Sequence, residues 1–240
     1  MHFVSGDATL FYAEQGSGPA LVLLHGNRES HHHMARIAEE LSADYRVILL
    51  DSRGHGHSQW GSETLTLDVM VNDVLALLDH LHVPSALLFG FSDGGNLALH
   101  VAASAPECVK ALVAVSPNVR PDGLKRWFLT ALRLQSGVLR VLGKVSGWAR
   151  QEAAYTDLML HHSDISASEL RAITARVMVI IGGEDLITVD HAREIVQCVA
   201  DAELTVLPQA HHTSIFREPV RYAQLGADFL RSRSSEHQGR

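Results

Sequence analysis

Leu88-Phe89-Gly90-Phe91-Ser92-Asp93-Gly94-Gly95-Asn96 decides the reading of this chain. An apolar run of strand character meets a serine with glycine two residues away on either side. The pattern then becomes helical. Glycine on both sides removes the side chains that would collide with the strand and the helix at so tight a bend. The helix that follows aims backbone N–H groups at the serine. Three readings fit the stretch: a turn residue opening a helix, a phosphate-binding glycine turn, or a nucleophile lifted above the edge of a sheet.

The flanking sequence supplies the sheet. Short runs rich in Val, Ile and Leu occur at Ala20–Leu24, Arg46–Leu50, Ala86–Phe89, Ala111–Val115, Val177–Ile181 and Glu203–Leu207. Unbroken apolar strands of this kind are buried on both faces, as in a parallel sheet covered by helices. Helical spacing of apolar residues fills Met34–Leu41, Leu67–Leu81, Asn96–Ala103 and His191–Ala200 between them. The alternation predicts an α/β fold with a mostly parallel, doubly wound sheet. Phe3-Val4 and Leu10–Ala13, joined at Gly6-Asp7, read as an antiparallel hairpin on its edge. From 118 to 164 the strand pattern stops. Leu124, Trp127, Phe128, Ala131 and Leu132 share one helical face. Val138, Val141, Leu142 and Val145 share another, after a break at Ser136-Gly137. This predicts a short helical cap (118–164) inserted after the strand at 111–115. The core is then 1–117 with 165–232, and 233–240 is a flexible tail. Ligands in such folds bind at the carboxyl edge of the sheet.

A serine nucleophile needs a base, and the base needs an orienting acid. Asp185 follows a late strand in Gly-Gly-Glu-Asp, with Glu184 as an adjacent rival. His211-His212 follows the last strand. Both positions fall at carboxyl strand ends, on the edge where Ser92 sits. The order Ser, Asp, His is that of the strand–serine–helix elbow class.

With these pieces in hand, nearly the whole chain resembles the α/β-hydrolase superfamily. The resemblance rests on His25-Gly26-Asn27, on the loop from Asp51 to Ser58 (DSRGHGHS), on the GFSDGG elbow, on the GGED turn and on Leu207-Pro208-Gln209-Ala210-His211-His212. It implies a catalytic triad of Ser92, Asp185 and His212. It also implies an oxyanion hole from the backbone N–H groups of Asn27 and Asp93. His211 stands where the family usually has glycine, and Asp122 is an alternative acid. Arg53 is implied to make a salt bridge near the sheet edge. The implied activity is that of a serine hydrolase acting on a small carboxylic ester or related acyl substrate. Hydrolysis of a carbon–carbon bond, lactone or amide by the same triad is the alternative, as is a ligand-binding protein without turnover. Arg28, Trp127 and Phe128 are candidate substrate-binding residues, Arg28 as a carboxylate holder.

Composition sets the outer bounds. The chain has 240 residues, is 46% hydrophobic and carries a net charge of −7, which suits a globular domain and disfavours nucleic acid as a partner. No apolar run is long enough to span a bilayer. No secretory signal shows at the start, and Cys108 and Cys198 have no metal-like spacing, which suits reduced thiols in the cytoplasm. Three consecutive histidines, His31–His33, cannot all face one ion, so no metal and no organic cofactor is expected. Residues 118–150 carry seven basic residues and one acid, with Arg126, Arg133 and Arg140 recurring every seventh position. This is either the solvated face of cap helices or a surface that steers anionic partners.

Overall fold

A computed structural model describes residues 1–232. The elements run β1 (His2–Ser5), β2 (Ala8–Gln15), β3 (Ala20–Leu24), α1 (His31–Leu41), β4 (Arg46–Leu50), α2 (Leu67–His80), β5 (Ala86–Phe91) and α3 (Asp93–Ser104). They continue with β6 (Val109–Val115), α4 (Arg126–Leu142), α5 (Gly147–His161), α6 (Ala167–Ala172), β7 (Arg176–Gly182), α7 (Val189–Cys198), β8 (Ala202–Leu207), α8 (Ser214–Arg217) and α9 (Pro219–Arg231). The expected flexible tail lies outside the described residues.

The eight strands form one sheet in the order β1-β2-β4-β3-β5-β6-β7-β8. β2 pairs antiparallel with both β1 and β4, and every other pair is parallel. Strand side chains alternate between faces, and both faces are covered. Val22, Leu24, Ile48 and Leu88 pack toward α2, α3 and α7, whereas Leu21, Leu23, Val47 and Phe89 pack toward α1 and α9. Burial on both faces explains why these strands read as continuous apolar runs.

Parallel pairing has a functional consequence. β3, β5, β6, β7 and β8 all end on one edge, so His25, Ser92, Ser116, Asp185 and His212 follow strands that finish side by side. Arg53 braces the neighbouring loop. Its guanidinium is buried and bonds both oxygens of Asp73 at 2.7 and 3.0 Å, and Asp7 at 3.1 Å.

The region between β6 and β7 departs from expectation in two ways. α4 runs unbroken through Ser136-Gly137. A mid-helix glycine costs about 1 kcal/mol relative to alanine, too little to break a helix held by buried Leu129, Leu132 and Leu139. Ser136 is itself buried and its hydroxyl bonds Asp157. Second, Leu124 precedes the helix and bridges to Ile187, while the face of Val138, Val141, Leu142 and Val145 is turned to solvent. No helix among the described residues is long and apolar enough to cross a membrane.

The elbow sets the tightest contacts. A Cβ on Gly90 would strike the carbonyl of Gly94, and a Cβ on Gly94 would strike that of Leu24, both backbone groups that cannot swing aside. Gly94→Ala should therefore destabilise the domain by about 1–3 kcal/mol, read as a lowered urea midpoint at unchanged slope. An unchanged midpoint would mean that α3 can retreat from the sheet without cost.

Candidate active site

Ser92 occupies the left-handed half of backbone space, with φ 53° and ψ −120°. Such a conformation costs on the order of 1–3 kcal/mol and persists only where its surroundings enforce it. Here they do. The Ser92 N–H donates to the Val115 carbonyl at 2.8 Å, and its own carbonyl accepts the N–H groups of Gly95 and Asn96. The bend leaves the hydroxyl projecting over the carboxyl edge of the sheet.

His212 meets that hydroxyl. Its Nε2 lies 3.1 Å from Ser92 Oγ, and its Nδ1 lies 2.7 Å from Asp185 Oδ1. An ionised carboxylate only accepts hydrogen bonds, so Nδ1 carries the ring proton and Nε2 is left to accept from the serine. Asp185 is buried. Its Oδ2 accepts the Ser116 hydroxyl at 2.6 Å and its Oδ1 also accepts the Ile187 N–H at 3.1 Å. Burial by itself would raise its pKa. The His212 hydrogen bond and charge, with those from Ser116 and Ile187, outweigh burial and hold the carboxyl below its ordinary value. Ser116 had no motif to announce it. Its signal is position, the first residue after β6 on the same edge, with a left-handed φ of 52°.

The rival residues lie elsewhere. His211 is exposed and faces Glu184 at 3.5 Å. Asp122 is exposed and pairs with Arg120.

The loop after β3 is fixed from several sides. His25 is buried, and its Nε2 accepts the Ser52 N–H at 3.0 Å, so its protonated Nδ1 donates to the Gly26 carbonyl at 2.7 Å. Glu29 accepts the Gly26 N–H at 2.8 Å. The Asn27 amide donates to Asp93 Oδ2 at 2.7 Å and to the Tyr155 carbonyl at 3.0 Å. These contacts clamp Asn27 beside the start of α3. Asp93 is the first residue of that helix, where a backbone N–H has no intrahelical partner. Its side chain is also engaged by Asn96, and burial raises its pKa.

A cavity of about 390 Å³ opens onto Ser92 and His212. Phe91, Leu124, Phe128, Leu132, Met159 and Ile187 give it a largely apolar wall. Of the expected substrate-binding residues, Phe128 lines it. Trp127 does not, being 64% exposed on the outer side of α4. Arg28 reaches the rim, but its guanidinium is already bound to Glu152 at 2.7 Å and to the Thr156 hydroxyl at 2.9 Å. It therefore ties the β3–α1 loop to α5 rather than standing free for a carboxylate. Glu29, which no motif flagged, also lines the cavity, and burial pushes its pKa up to about 7.

The fold brings His31, Asp51 and His57 together, with donor atoms within 4.8 Å of one another, a grouping that sequence spacing alone did not reveal. Asp51 accepts both backbone N–H groups and both rings of these histidines. That network satisfies the carboxylate and caps α1.

Comparison with known proteins agrees with this architecture. A family model described as the alpha/beta hydrolase fold matches residues 19–158. The chain belongs to that family. It is 39% identical over 108 residues to lipase LipV of Mycobacterium tuberculosis, covering 45% of this chain and 41% of the other. It is 26% identical over 271 residues to 2-hydroxy-6-oxo-6-phenylhexa-2,4-dienoate hydrolase of Comamonas testosteroni, covering 95% and 93%. The meta-cleavage product hydrolase of Pseudomonas fluorescens IP01 superimposes with a TM-score of 0.80 at 18% identity, covering 97% of each chain. Several curated relatives are matched over only part of their length, between 36% and 64%.

The buried histidines give a pH prediction. Burial lowers the pKa of His25 to about 3 and depresses His55, His100 and His191 as well. A folded pKa below the unfolded one means that the unfolded chain binds more protons beneath about pH 6.5. Stability is then lost as pH falls through that value, by about 1.4 kcal/mol per pH unit for each proton taken up. Glu29, raised from 4.5 to about 7, acts in the opposite sense, gaining stability as pH falls from 7 to 4.5. Asp93, whose pKa burial also raises, acts in the same sense as Glu29, so two carboxyls stand against four histidines. The urea midpoint should fall between pH 7 and pH 5, and a flat midpoint would contradict the assignment.

Proposed function

We propose that this protein is a serine hydrolase of small, neutral carboxylic esters or closely related acyl substrates. The observation that carries the reading is the unbroken hydrogen-bond path from Ser92 through His212 to Asp185. Ser92 Oγ attacks the substrate carbonyl carbon as His212 Nε2 takes the hydroxyl proton. Asp185 holds the imidazole in the required tautomer and stabilises the imidazolium that forms. The oxygen of the tetrahedral intermediate accepts from the backbone N–H groups of Asn27 and Asp93, each such donor contributing about 3–4 kcal/mol. Collapse breaks the bond to the alcohol, which leaves with the proton from His212. Water then attacks the acyl-serine, with His212 as base, and releases the acid.

The lining of the cavity supports a neutral substrate. Its wall is apolar, its arginine is paired with Glu152, and its acidic groups, Glu29 and Asp93, are hydrogen-bonded within the protein. The similarity to a dienoate hydrolase makes carbon–carbon hydrolysis of an acidic substrate the second reading. That substrate's carboxylate would meet no unpaired cation at this wall.

A series of p-nitrophenyl acetate, butyrate and octanoate, with the Ser92→Ala variant alongside, tests the reading. Wild type should turn over the esters, and Ser92→Ala should lose at least about 10⁴-fold in kcat. Addition of a vinylogous dienoic keto-acid separates the two readings. Ester turnover that persists in Ser92→Ala would overturn the mechanism. Turnover of the keto-acid alone would move the protein to the second reading.

A further inference from the structure

The cap carries an outer surface that the chemistry at Ser92 does not use. On α4, the turn after it and the first turn of α5, Trp127, Leu134, Val138, Val141, Val145 and Trp148 are 60–87% exposed. At 100° per residue, those on α4 form a single stripe along its length. A second stripe runs beside it. Arg126, Arg133 and Arg140 fall within one narrow sector of the same helix, Lys144 follows in the turn after it, and no acidic residue occurs between Gly123 and Gln151. Arg140 pairs with Asp157, while Arg126, Arg133 and Lys144 make no ion pair among the described residues. Arg140, Lys144 and Arg150 also line an open groove of about 460 Å³ between the cap and the loop at Thr64-Leu65.

Soluble monomers rarely leave contiguous apolar surface of this kind facing water. An apolar stripe with tryptophan at both ends and a cationic flank is the pattern of a helix that lies in a lipid interface. Charge decides between occupants. A two-fold contact with a second copy would set the cationic stripe against itself. The rest of the chain is acidic, since the whole carries −7 while residues 118–150 carry a net +6. An anionic lipid surface would attract the cap and repel the remainder, which orients the molecule. The stripe also adjoins the catalytic cavity, because Gln135 on its rim lies one helical turn from Val138.

We propose that the outer face of α4 and the α4–α5 turn docks on an anionic lipid bilayer, with the apolar stripe entering the headgroup region and the basic stripe facing lipid phosphates. The cavity mouth is then presented to the interface. This inference stands whatever bond is cleaved at Ser92.

Sedimentation with phosphatidylglycerol and phosphatidylcholine vesicles tests it, using the full chain and following tryptophan emission. Wild type should partition onto phosphatidylglycerol at least tenfold more strongly than onto phosphatidylcholine. Emission should shift to the blue, and binding should weaken with added salt. Leu134→Glu/Val141→Glu and Arg126→Glu/Arg133→Glu should each reduce binding at least tenfold while keeping the wild-type thermal melt by circular dichroism. Should a pair fail to fold, Leu134→Ser and Arg133→Gln replace it. Failure to bind phosphatidylglycerol overturns the proposal, as does equal binding to both lipids or binding that survives both variants. A concentration-dependent dimer that Leu134→Glu/Val141→Glu dissociates would assign the face to a second copy instead.

Discussion

Everything at the site depends on how closely α3 can approach the sheet. The N-terminal turn of that helix rests against β5 and the end of β3, with Gly90 and Gly94 facing backbone carbonyls that leave no room for a Cβ. The contact fixes the direction in which the chain turns after Phe91. The turn in turn holds Ser92 at a backbone conformation it would not adopt alone. Strain at one residue is sustained by the packing of two strands and a helix. The same closeness brings the first N–H of α3 beside the loop after β3.

Electrostatics then follows from burial. Asp185 loses water, which on its own would favour its neutral form. Ser116, Ile187 and His212 restore the lost hydrogen bonds and keep it ionised. His212 is held at both ends, so its tautomer is set before any substrate arrives. The loop holding Asn27 is treated similarly, with His25 locked as a neutral ring beneath it. Preorganisation of this kind avoids reorganising dipoles as charge develops. The cap closes the arrangement with an apolar wall, and Arg28 couples it to the loop after β3 through Glu152 and Thr156.

Much of this was legible in the residues. Strands buried on both faces announce themselves as unbroken apolar runs, and Ala20–Leu24 and Arg46–Leu50 match their observed bounds. Ser92 and the GGED and His211-His212 turns stood out because each follows such a run, and the family resemblance singled out Asp185 and His212 within them. The cap was harder to read. Its apolar residues repeat at helical spacing on two sides of α4, and spacing does not say which side meets the protein. Trp127 therefore read as a substrate-binding candidate and is exposed. Ser136-Gly137 read as a break, though Ser136 is buried and bonded to Asp157. Ser116 and Tyr155 act through tertiary contacts with residues far away in sequence, and no local pattern carries that information. The same is true of Asp51, which joins His31 and His57 only after folding.

The central claim is that the Ser92 hydroxyl is made nucleophilic by His212 and Asp185. Labelling with a fluorophosphonate tests it without requiring the natural substrate. Intact-mass and peptide analysis should show one adduct per chain, on Ser92. Labelling should slow by several orders of magnitude in His212→Ala, whose melt should match wild type. Absence of an adduct on Ser92, or labelling as fast in His212→Ala as in wild type, would contradict the account.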